Sequence, residues 1–66
     1  MSEQERLLTQ SLSIGQMRSL RNYLKRSAQF DSVNKHGDLV FTFEKLVITL
    51  TNHRGGTKWV AVDLKR

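Results

Sequence analysis

Leu39-Val40-Phe41-Thr42-Phe43-Glu44-Lys45-Leu46-Val47-Ile48-Thr49-Leu50 is the stretch whose reading decides the fold. Its first five residues carry their large apolar side chains at odd positions and its last five at even ones, so the alternation changes phase at Glu44-Lys45. Strand side chains alternate between the two faces of a sheet with period two. One uninterrupted strand would therefore send Leu39, Phe41 and Phe43 to one side and Leu46, Ile48 and Leu50 to the other. A two-residue hairpin loop instead pairs Phe43 with Leu46, Phe41 with Ile48 and Leu39 with Leu50, and gathers them all on one face. Glu-Lys is a poor dipeptide for a primed turn, where both central residues would need positive φ. A one-residue bulge in a longer strand is accordingly the competing reading.

Downstream, Asn52-His53-Arg54-Gly55-Gly56 is a strong turn signal that leads into a third strand over about residues 57–64. Pairing Thr51 with Thr57 across that loop sets Ile48 opposite Val60 and Leu46 opposite Val62. Upstream, Asn34-Lys35-His36-Gly37-Asp38 is a turn cluster ahead of the first strand. The inner face then reads Leu39, Phe41, Phe43, Leu46, Ile48, Leu50, Val60, Val62 and Leu64. Val40, Thr42, Val47, Thr49, Trp59 and Ala61 fall on the outer face.

Such an apolar face needs a cover, and Leu12-Ser13-Ile14-Gly15-Gln16-Met17 announces one. Ser13 can cap the first free amides, Gln16 can return the bond, and Leu12 can staple onto Met17. A helix is predicted over 13–28, its first helical residue Ile14. Its apolar residues Met17, Leu20, Leu24 and Ala28 recur at three- and four-residue spacing, within roughly a third of the circumference. Residues 1–12 are expected to form either an arm or a short helix over about 3–10, since Ser2-Glu3-Gln4-Glu5 is a second capping box ahead of Leu7 and Leu8. The expected fold is α+β: an N-terminal amphipathic helix, with or without a short helix before it, packed on one face of a three-stranded antiparallel β-meander over 39–64.

Sixty-six residues hold one domain, taken as 1–66. With no Cys and two His, the sequence offers neither a disulfide nor a structural zinc site, and it implies no cofactor. The apolar fraction of 38% is low for a self-sufficient core of this size, which makes a homodimer a live expectation. The polar start after Met1 and the lack of any long apolar run point away from a secretory signal or a membrane span, and a cytoplasmic location is expected.

Charge is the most informative functional feature. The net charge of +5 favours phosphate-rich partners. Its placement sharpens that, because Arg18, Arg21 and Lys25 fall within roughly 60° of one another on the predicted helix. No acidic residue lies between Glu5 and Asp31. Arg26 follows in the last turn, where a cation also suits the helix dipole. Arg54 and Lys58 flank the glycine turn and could add charge to backbone amides facing an anion. The bland alternatives are a solvated helix face and an ordinary hairpin loop.

Trp59 could stack a nucleobase, anchor a protein interface or simply pack. Catalysis has little support, since His36 and His53 stand apart in loops with no nucleophile or carboxylate cluster beside them. Leaving-group protonation by His53 with Arg54 and Lys58 around a phosphate is the ribonuclease alternative. The expectation is a non-enzymatic protein that binds DNA or RNA through Arg18, Arg21, Lys25, Arg26, Arg54, Lys58 and Trp59. The alternative is an adaptor or inhibitor that takes a protein partner on its outer sheet face or an edge strand, with or without homodimerisation.

Overall fold

The computed structural model describes residues 4–51 and 58–65. Six elements follow one another: β1 (Gln4–Leu12), α1 (Ile14–Ser27), β2 (Gln29–Val33), β3 (Leu39–Phe43), β4 (Leu46–Leu50) and β5 (Lys58–Lys65). The strands form one five-stranded antiparallel sheet in the order β1-β5-β4-β3-β2. The fold is α+β, but the expected three-stranded meander is overturned, because each side of the meander gains a strand. Residues expected to be an arm or short helix pair with β5 instead, and the chain after the helix becomes the opposite edge.

Both added strands hide their period. In β1 the register shifts between Arg6 and Leu8, so Glu5 opposite Leu64 and Leu8 opposite Val62 are three apart yet share a face. In β2 the shift lies between Phe30 and Ser32, and Phe30 opposite Phe41 shares a face with Val33 opposite Leu39. Three-residue spacing is the signature of a helix, which is why neither segment reads as a strand.

The central hairpin has the register that the apolar phase break requires: Phe43 faces Leu46, Phe41 faces Ile48 and Leu39 faces Leu50. The competing bulge does not occur there. Glu44 has φ 56° and Lys45 does not enter the positive region, so the turn needs one positive φ, not two. One left-handed residue instead of two makes the Glu-Lys turn less costly than a type I′ turn would be. The second hairpin is displaced by two residues from expectation. Ile48 faces Val62 and Leu50 faces Val60, which preserves the inner face while lengthening the connection. The expected loop and Arg54 lie outside the described residues.

Helix α1 begins where the capping box sets it. The Gln16 amide donates to Ser13 Oγ at 3.1 Å and the Ser13 amide donates to Gln16 Oε1 at 2.9 Å. At the other end Ala28 is extended, its amide donates to the Leu24 carbonyl at 2.8 Å, and β2 starts at the next residue. The helix buries Met17 and Leu24 against Phe41, Ile48, Leu50 and Val60, with Leu12, Leu20, Ala28, Leu39, Phe43, Leu46 and Val62 packed around them. The amphipathic helix does cover the inner face, as expected.

The turn between β2 and β3 is built by Asn34. Its Oδ1 accepts from the amides of His36 and Asp38 at 2.9 and 3.0 Å, and Gly37 supplies the positive φ of 86°.

Two stability predictions follow from this framework. Glu44→Gly should raise stability by about 0.5–1 kcal/mol in urea unfolding, because relief of the left-handed conformation outweighs the added backbone entropy. Removal of residues 1–12 should abolish cooperative unfolding, read by circular dichroism, because it strips the ladder from β5 and takes Leu12 from the core.

Candidate functional site

The helix runs diagonally, and this creates the site. β1 and β2 run in the same direction at opposite edges of the sheet, so α1 leaves one corner beside Leu12 and Lys58 and must reach the opposite corner beside Gln29 and Thr42. A diagonal cover leaves two corners of the inner face open. At one of them Phe30 and Val33 remain 51% and 53% exposed although both point to the helix side of the sheet. The other holds Leu8, at the far edge.

The basic stripe borders the first corner. Arg18 and Arg21 line a cleft of about 220 Å³ with Ile14, Met17, Leu39, Thr51 and Lys58. Arg21 and Lys25 then line a second cleft of about 330 Å³ whose walls are Phe30, Leu39 and Phe41. Arg21 belongs to both, so the two clefts form one continuous seam between the helix and the β2–β3 side of the sheet.

Its side chain is half-buried and its Nε is fully enclosed, with no hydrogen-bond partner. An unsatisfied buried donor costs about 1–3 kcal/mol. None of the helix cations enters an ion pair with a described residue, and the ion pair formed among the described residues joins Arg6 to Asp63 on the other face. The stripe stays undiluted because α1 contains no acidic side chain.

Of the residues singled out from sequence, Arg18, Arg21, Lys25 and Lys58 are brought together at this seam. Arg26 is exposed in the last helical turn and lines neither cleft, where its charge suits the helix C-terminus. Arg54 lies outside the described residues, as does His53. Trp59 sits on the opposite face, in a third depression of about 540 Å³ shared with Arg6, Asn34, His36, Asp38, Thr49, Ala61 and Asp63. Its two carboxylates are buried, at 4% for Asp38 and 7% for Asp63. Trp59 lines neither cleft of the helix side, so it does not join the cationic seam.

Sequence reasoning missed Phe30, the aromatic wall of the seam. Its ring packs edge-on against Phe41, with centroids 5.4 Å apart and planes inclined by 70°. A lone Phe after the helix was the available signal, but its face depends on the bulge in β2.

Among the described residues no group of His, Asp or Glu could hold a metal ion, and no helix is long and apolar enough to cross a membrane. Comparison with known proteins returns no match to a family model, a curated protein or a solved structure.

Arg21→Met tests the status of the enclosed guanidinium. The substitution keeps the aliphatic stem that packs against the sheet and removes the unpaired donor. Thermal unfolding should show stability unchanged or raised by about 1 kcal/mol. A marked loss would mean that the charge has a structural role.

Proposed function

We propose that this protein binds a phosphate-rich polymer, DNA or RNA, along the seam bordered by Arg18, Arg21 and Lys25. The observation that carries the reading is the Arg21 side chain: a guanidinium half-buried between two open clefts, without a protein partner for its Nε, in line with a second Arg and a Lys. Guanidinium forks match phosphate geometry, and a cation left unsatisfied by the fold gains more from an external anion than one already paired. The net charge of +5 adds long-range attraction. Without base-edge contacts the binding is weakly sequence-specific.

A second reading is favoured by β2. All five of its residues are exposed, it is an edge strand, and Phe30 and Val33 offer apolar surface beside open backbone groups. A protein partner, or a second copy, could extend the sheet there. The outer sheet face is the weaker platform for this alternative, because Val47 and Ala61 are buried among their neighbours and Val40 and Trp59 are only half-exposed.

Titration of labelled oligonucleotides at two salt concentrations, followed by anisotropy, tests the leading reading. Three phosphate contacts predict a log-log salt slope of about −2 to −3. Replacing Arg18, Arg21 and Lys25 together by Glu should abolish binding at low salt while circular dichroism stays unchanged. Equal binding by this variant defeats the proposal. An increase in solution mass that Phe30→Ala reverses, with no oligonucleotide binding at all, selects the edge-strand reading.

A further inference from the structure

The open corner holds more than charge. Phe30 is exposed on the helix side of the sheet, and its ring is held in a T-shaped contact with Phe41. Arg21 and Lys25 line the same cleft, together with Leu39 and Phe41. At about 330 Å³ the cleft is of the size that accepts a single small ring system. Arg18 and Arg21 line the adjoining cleft, so a cationic site lies directly beside an apolar, aromatic one along the helix axis.

A nucleotide strand has the same alternation. Each unit joins a flat apolar face to an anion, and single-stranded binding sites commonly pair a cationic track with aromatic platforms for unstacked bases. In a duplex every base face is already occupied by its neighbours, so a duplex could use the cations but not Phe30. A patch with only apolar side chains would suit a protein partner equally well. Here the described residues lining the two clefts include cations and no carboxylate, and that charge selects the anionic ligand.

We infer that the corner is a single-strand site, in which an unpaired base stacks on Phe30 between Arg21 and Lys25 while the adjacent phosphate lies against Arg18 and Arg21. The inference rests on the phosphate-binding reading above and adds to it the strandedness of the ligand. It also places the base contact on the helix side of the sheet and leaves Trp59, on the outer face, unused.

The test compares three probes of equal length at low salt: oligothymidylate, the same deoxyribose-phosphate strand lacking bases, and a duplex. Oligouridylate serves as the RNA counterpart of the first. The wild-type protein should bind oligothymidylate or oligouridylate about tenfold to a hundredfold more tightly than the abasic strand, the range that one stacked base supplies. Phe30→Ala should erase that preference and leave the abasic affinity unaltered. Phe30→Leu, which retains apolar cover over Phe41, should do the same if stacking rather than folding is at stake.

Emission from Trp59, the sole tryptophan, should be unquenched at saturation. Equal affinity for the based and abasic strands overturns the single-strand site while leaving the phosphate reading intact. Strong quenching of Trp59 overturns it by putting the bases on the outer face. No binding of any probe overturns both readings, whereas a Phe30→Ala effect confined to self-association overturns the single-strand site alone.

Discussion

The diagonal passage of α1 across the sheet is the constraint on which the remaining structure depends. Four inter-strand spacings make the sheet about 19 Å wide, and the helix must also descend most of a strand length, so corner to corner it has about 25 Å to cover. Fourteen helical residues rise about 21 Å, and one extended residue at each end supplies the remainder. There is no slack. The chain passes from β1 through Ser13 into the helix, and from the helix through Ala28 into β2, without a loop at either junction. Lengthening or shortening the helix by one turn would lift an edge strand out of register with its neighbour.

From this follow both the core and the opening in it. A helix laid straight along the strands would cover a narrow apolar strip from end to end. Laid diagonally, it covers the middle of the sheet and brings Leu24 against Phe41 and Leu50. It also leaves the Phe30–Val33 corner uncovered. The cations at positions 18, 21 and 25 occupy the flank of the helix that overlooks this corner, so chain geometry, not long-range folding of loops, sets charge beside an exposed aromatic ring. The outer face has the opposite character. There β5 lies between two strands, burial reaches Ala61 and Asp63, and Arg6 neutralises the latter from the edge. The two faces therefore differ in how their charge is held: Asp63 is paired with Arg6 on one, while Arg18, Arg21 and Lys25 line the clefts of the other without an ion pair to a described residue.

Much of the hairpin and of the helix was legible along the chain because each is governed by neighbours a few residues apart. The phase break at Glu44-Lys45 requires a reversal, and burial of six large apolar side chains on one face leaves a single register for it. The capping box at Ser13 and Gln16 does the same for the helix start. In the candidate site the basic stripe was visible for the same reason, since residues three and four apart share a helix face. Phe30 was not. Its place in the seam depends on a bulge in β2 and on pairing with β3, neither of which leaves a periodic trace.

The amino-acid sequence alone thus determined the helix and its polarity, the central hairpin and the apolar face that joins them, because these follow from short-range periodicity and local hydrogen bonding. Only the tertiary structure decided that residues 4–12 form an edge strand, that 29–33 form the other, and that the second hairpin slips by two residues. Those choices rest on partners more than fifty residues away in the case of Arg6 and Asp63, and on bulges that disguise a strand as a helix. A two-residue slip keeps every side chain on its own face, so hydrophobic alternation is blind to it.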